Sequence, residues 1–140
     1  MIDLNLAKEI LVSEKLTCVI VKGNNVIMTS HEKGVRPLLQ YLRDSNEKPQ
    51  KVFLADKVIG KAAALLAVLA DVHTVFADIL SEEAKKVLDE NNIVVEYNQL
   101  VPYIKNRLGT GQCPMENLVA DIQEPNMAYQ AILDFINQNK

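Results

Sequence analysis

Nine consecutive apolar residues, Ala62 to Ala70, follow Lys61 and constrain the fold more than any other stretch of this chain. Alanine and leucine dominate the run, so it reads as a helix, and that helix is apolar on nearly every face. A helix without a polar side must be surrounded by protein. Its alanines allow close packing against a sheet, which calls for a layered α/β architecture. A membrane span needs roughly 20 apolar residues, about twice this length, so the run reads as core.

The flanking sequence supplies the other layers. Residues 2–15 read as a helix, with Leu4, Ile10 and Leu11 among charged positions. Leu16 to Val21 and Val26 to Thr29 are β-rich runs around Lys22-Gly23-Asn24-Asn25, a spacer tolerant of positive φ, and together they predict a β-hairpin. Arg36 to Asp44 is a short helix with Pro37 in its first turn, and Ser45 to Gln50 is a polar surface loop. Val52 to Ala55 reads as a strand end, with Asp56 capping the buried helix whose body runs from Lys61 to Ala70.

Val72 to Leu80 is the strongest strand. Ser81-Glu82-Glu83 then opens a helix, with a hydroxyl cap and two carboxylates at the positive dipole end. That helix ends near Asn91-Asn92, and Ile93 to Tyr97 is a further strand. Beyond it we read helix around Tyr103 to Leu108, a turn at Gly109 to Gln112, and helices starting at Pro114 and Pro125. The order predicts one domain over 1–140, a three-layer α/β/α sandwich with a mixed sheet.

Composition removes several classes. In 140 residues, 49% are hydrophobic and 24% charged, enough for a packed core and too apolar for disorder. Two cysteines cannot staple a secreted fold and read as cytosolic thiols. The start, Met1-Ile2-Asp3-Leu4-Asn5-Leu6-Ala7-Lys8-Glu9, lacks the basic and apolar pattern of a signal peptide, so a cytoplasmic location is expected. Net charge is −3 and argues against broad nucleic-acid binding. Residues 31–61 do carry a net charge of +3. Tyr41, Phe53 and Tyr97, with Phe76, are too few between residues 31 and 100 to suggest a base-stacking platform.

A hairpin, a buried helix, then strand–helix–strand resembles the cytidine-deaminase-like fold. In that superfamily the buried helix opens with His or Cys followed two residues later by Glu, and the next helix opens with Pro-Cys-x-x-Cys. The His or Cys residues hold zinc and the Glu shuttles protons. Here the corresponding segments are Gly60-Lys61-Ala62-Ala63 and Leu80-Ser81-Glu82-Glu83-Ala84. Lys61, Ser81 and Ala84 would stand in the ligand positions and Ala63 in the shuttle position, and none of them can do that work. The chain also resembles, over nearly its whole length, a small prokaryotic family of uncharacterised proteins with this fold and no zinc motif. Residues 56–64 and 106–116 carry that resemblance, the second run being long and unusual. It implies a fold and no activity, and no cofactor.

Two segments are candidates for binding. In Gly109-Thr110-Gly111 the glycines let backbone approach a ligand, and Pro114 at a helix start makes Cys113 its N-cap. Arg107 could offer a forked donor to phosphate or carboxylate, while Glu116 could cap its own helix backwards. The plainer alternative is a tight turn between packed helices. The second segment holds Asp56, Lys57, Gly60 and Lys61. The two lysines, four apart at a helix start, oppose the dipole, and an anionic ligand or a carboxylate such as Asp56 would relieve them. Equally, both could reach solvent past an apolar stem. His31, Glu32, His73, Cys18 and Cys113 match no metal-ligand spacing, so no metal site is expected.

The reading that follows is a binding module for an anionic small molecule, nucleotides included. Its site would combine Asp56, Lys57, Gly60, Lys61, Arg107, Gly109, Thr110, Gly111, Cys113 and Glu116. An enzyme using Cys113 as nucleophile, with Glu116 or Lys61 carrying the proton, is the rival. A non-catalytic interaction protein, including a homo-oligomer, is the third. A membrane partner is not expected.

Overall fold

A computed structural model describes residues 2–44, 51–106 and 108–138. The Ser45–Gln50 loop and Arg107 therefore lie outside the described residues.

The sheet grows from the predicted hairpin. β1 (Cys18–Lys22) and β2 (Asn25–Ser30) pair antiparallel across a turn in which Gly23 and Asn24 both have positive φ, 56° and 66°. Such a two-residue turn matches the twist of its strands. On the other side of β1 lies β3 (Val52–Ile59), also antiparallel. β4 (Val72–Ser81) and β5 (Val94–Val101) then add in parallel, giving the order β2-β1-β3-β4-β5. The sheet is thus mixed, as expected.

Alternation along the strands splits the core in two. Val19, Val21, Ala55 and Phe76 face α1 (Ile2–Ser13), which buries Leu4, Ala7 and Leu11 against them. Cys18, Ile20, Leu54, Val75 and Ala77 face the other way, into the larger core. There the all-apolar run forms α3 (Lys61–Leu69), buried at every position from Lys61 to Ala67. α2 (Arg36–Asp44), α4 (Glu82–Glu90) and α6 (Pro125–Gln138) pack around α3. The result is the α/β/α arrangement that a helix without a polar face requires. Among the described residues, no helix is long and apolar enough to cross a membrane.

Two expectations need correction. Asp56 does not cap the buried helix; it lies inside β3, which continues to Ile59, and the N-cap is Gly60. Aspartate in an apolar strand is tolerated because the N–H of Val58 donates to its Oδ1 (3.2 Å) and the Cys18 thiol, opposite it on β1, hydrogen-bonds it as well. Nor is the stretch from Tyr103 to Leu108 helical. The N–H of Cys113 donates to the Ile104 carbonyl, Lys105 bridges Gln112, and the N–H of Asn106 donates to the Gly111 carbonyl. This is a small hairpin whose tip holds Gly109 at φ 71°. Its sequence has no helical apolar period, and the glycines were the better guide. α5 (Pro114–Leu118) follows, with Cys113 as N-cap as predicted.

Candidate functional site

The site is built around the start of α3. Gly60 has extended backbone and no side chain to cap the helix, so the first N–H groups of α3 need an acceptor from elsewhere. It comes from α5. Glu116 Oε1 accepts from the N–H of Lys61 at 2.5 Å, and Oε2 from the N–H of Ala62 at 3.0 Å. A Cβ on residue 60 would collide with Oε1 and Cδ of Glu116, so glycine is what admits the carboxylate. Lys61 answers in the opposite direction, its Nζ donating to the Ala120 carbonyl at 2.9 Å. Three hydrogen bonds therefore clasp the segment 116–120 to the first turn of α3. Burial pushes the Glu116 carboxyl above its usual pKa, opposed by the N–H groups of Ala62 and Lys61 and then by the Lys61 ammonium.

Glu116 also separates two cavities. The larger, about 520 Å³, has Val35, Val58, Ala63, Ile104 and Met115 among its walls, with Lys33 and Lys105 contributing the cations. Gly60, Cys113 and Glu116 also line it. The smaller, about 230 Å³, mixes polar and apolar walls: Lys61, Ser81, Glu83 and Gln112 face it together with Tyr103, Ile104 and Glu116. Ser81 caps α4, its Oγ accepting from the N–H of Ala84 at 3.1 Å. The hydroxyl cap read from the sequence is in place.

Of the predicted site residues, the structure brings together Gly60, Lys61, Cys113 and Glu116. Lys57 is elsewhere: it is exposed on β3 and lines a separate cavity with Leu11, Val12 and Lys15, so the two lysines share no helical face. Asp56 is fully buried, lines neither of the two cavities, and has its carboxyl pushed up to about 8 by burial. Gly109, Thr110 and Gly111 form the hairpin tip outside the larger cavity. Asn106 Oδ1 accepts from the N–H of Thr110 at 3.1 Å, which organises the tip internally. The wall residues Lys33, Val35, Ile104 and Lys105 were not anticipated. A signal for the Glu116 contact was present: a buried helix preceded by Gly60, with no Ser, Thr or Asp next to its first residue.

The four positions compared above with zinc-ligand and proton-shuttle residues hold a lysine, a serine and two alanines. Lys61 and Ser81 line the smaller cavity, Ala84 offers no lone pair, and Ala63 faces the larger cavity with a methyl group. Among the described residues, no group of three His, Cys, Asp or Glu is placed to hold a metal ion.

Fold and site together define an α/β protein with a five-stranded mixed sheet and a hairpin-roofed pocket at the head of its buried helix. The chain belongs to the DUF1893 family, a domain of unknown function, whose TM1506 model matches residues 6–136. It is similar to the crystal structure of a DUF1893 family protein, TM1506, from Thermotoga maritima. The two share 23% identity over 94% of this chain and 88% of that one, with a TM-score of 0.87. RibD from Acinetobacter baumannii is a distant likeness at 20% identity and a TM-score of 0.46, over 59% of this chain and 28% of RibD. No curated protein matches the sequence.

Proposed function

We propose that this chain is a small-molecule binding module on a deaminase-like scaffold that does not use zinc. The observation carrying this reading is the larger cavity, whose size and mainly apolar walls with a few polar groups suit a small ligand. Glu116 already occupies the N–H groups at the head of α3, so an anionic group on the ligand is better served by Lys33 and Lys105 at the rim. The ligand body would lie against Val58, Ala63 and Ile104, beneath the 104–113 hairpin.

Thermal shift against nucleotides, sugar phosphates and simple carboxylates tests the proposal. A binder at 100 times its dissociation constant stabilises the fold by about 2.7 kcal/mol, several degrees at this size. Lys33→Ala with Lys105→Ala should reduce that shift and leave the unliganded melting temperature unchanged, because both side chains are exposed. Ala63→Leu should abolish it by filling the cavity. A binder indifferent to all three substitutions would place the site elsewhere.

A second reading rests on Cys113, which lines the same cavity as Glu116. A nucleophilic thiol there should react with iodoacetamide much faster than a model thiol peptide does, and Glu116→Gln should change that rate. Labelling of Cys113 no faster than the model thiol removes this reading.

A further inference from the structure

β5 is an edge strand without the usual guards. It pairs with β4 along one side, and among the described residues its other side makes no backbone hydrogen bond over eight residues. Sheet edges are commonly blunted by lysine, proline or a bulge. β2, at the opposite edge, pairs through a register shift beside Ile20 and Val21. Residues 94–101 contain no Lys, Arg or Pro, and their register with β4 is unbroken. Two of its polar side chains bond within their own chain at the surface: Glu96 pairs with Lys8, and Asn98 Nδ2 donates to Asp78 Oδ1 at 2.9 Å. Val94 and Leu100 are left 54% and 40% exposed.

We propose that β5 pairs antiparallel with β5 of a second copy of this chain, in a register centred on Tyr97. Val94, Glu96, Asn98 and Leu100 share one sheet face by alternation, and cross-strand partners must share a face. Centring on Tyr97 sets Val94 of each copy opposite Leu100 of the other, so the two exposed apolar side chains cover one another. It also sets each Glu96 opposite a neutral Asn98. Centring on Glu96 would oppose two carboxylates, and centring on Asn98 would set Glu96 against Leu100. The Tyr97 register is therefore the one in which apolar cover and charge agree. The contact is isologous, closes on itself, and continues the sheet from one copy into the next.

Sedimentation velocity of the full chain over a concentration series tests this. A concentration-dependent dimer is expected. Val94→Lys and Leu100→Glu, both at exposed positions, should each weaken it about tenfold or more while leaving the melting temperature of the monomer unchanged. Combining them in one chain sets an ammonium opposite a carboxylate twice and should restore association. A monomer at every concentration overturns the proposal, as does a dimer that the single substitutions do not weaken. A double variant no tighter than the single ones overturns the register. A chain that stays monomeric yet takes up an extended peptide on this edge overturns it too.

Discussion

Gly60 lies directly against the Glu116 carboxylate, and one methyl group on Gly60 would occupy the space of Oε1. Few positions in the chain join backbone, burial and charge so closely.

Gly60→Ala is therefore expected to destabilise the fold by about 2–3 kcal/mol, the scale of losing a cap and leaving buried donors unmet. Urea unfolding measures it. Gly111→Ala is the control. Its nearest neighbour would be 3.9 Å from the added carbon, and the cost should stay within about 0.5 kcal/mol. Equal costs for the two would show that Gly60 matters for some other reason.

Glu116→Ala should unfasten α5 from α3 and cost about 1–3 kcal/mol. Hydrogen exchange at the amides of Lys61 and Ala62 should accelerate, because those two N–H groups lose their acceptors. Unchanged protection at both amides would contradict the clasp.

Asp56 gives the fold a pH dependence of definite sign. Its folded pKa, about 8, lies above its ordinary value of 3.8, so between those values the folded state holds the extra proton. Stability should then fall as pH rises through that window, by at most about 1.4 kcal/mol per pH unit, and level off above it. Asp56→Asn should flatten this part of the profile and raise the melting temperature at pH 8. A profile identical to that of the unsubstituted chain would sink the prediction.

Protein purified without chelator should contain no stoichiometric zinc, because Lys61, Ser81 and Ala84 offer no donor set. Its melting temperature should not respond to a chelator. Elemental analysis showing one zinc per chain would reverse this and redirect attention to donors outside those three positions. Cytidine and adenosine should likewise not be deaminated, since Ala63 can relay no proton.

What the sequence disclosed was local. The Gly23-Asn24 turn, the apolar α3 and the Ser81 cap are written in neighbouring residues, and each lies where its chemistry directs. Asp56 misled because aspartate before a helix is a good cap, whereas its burial depends on Cys18 across the sheet, which spacing does not reveal. Tyr103 to Leu108 misled because a pair of short bridged strands leaves almost no period to read. Glu116, by its place in the first turn of α5, reads as a cap for its own helix. The helix it caps begins 55 positions earlier, and only the bare Gly60 hinted that one was in need.

That separation has a consequence for how the molecule assembles. Contacts between distant residues close large loops and form late, after local structure has condensed. During synthesis, the first N–H groups of α3 bond only to water when the helix leaves the ribosome, and Glu116 follows 47 residues after Leu69. Until residues 104–116 arrive, the larger cavity has neither its hairpin roof nor the carboxylate that walls it. A chain cut short after β5 would carry the whole sheet and the buried helix, yet nothing to roof the cavity at the helix head.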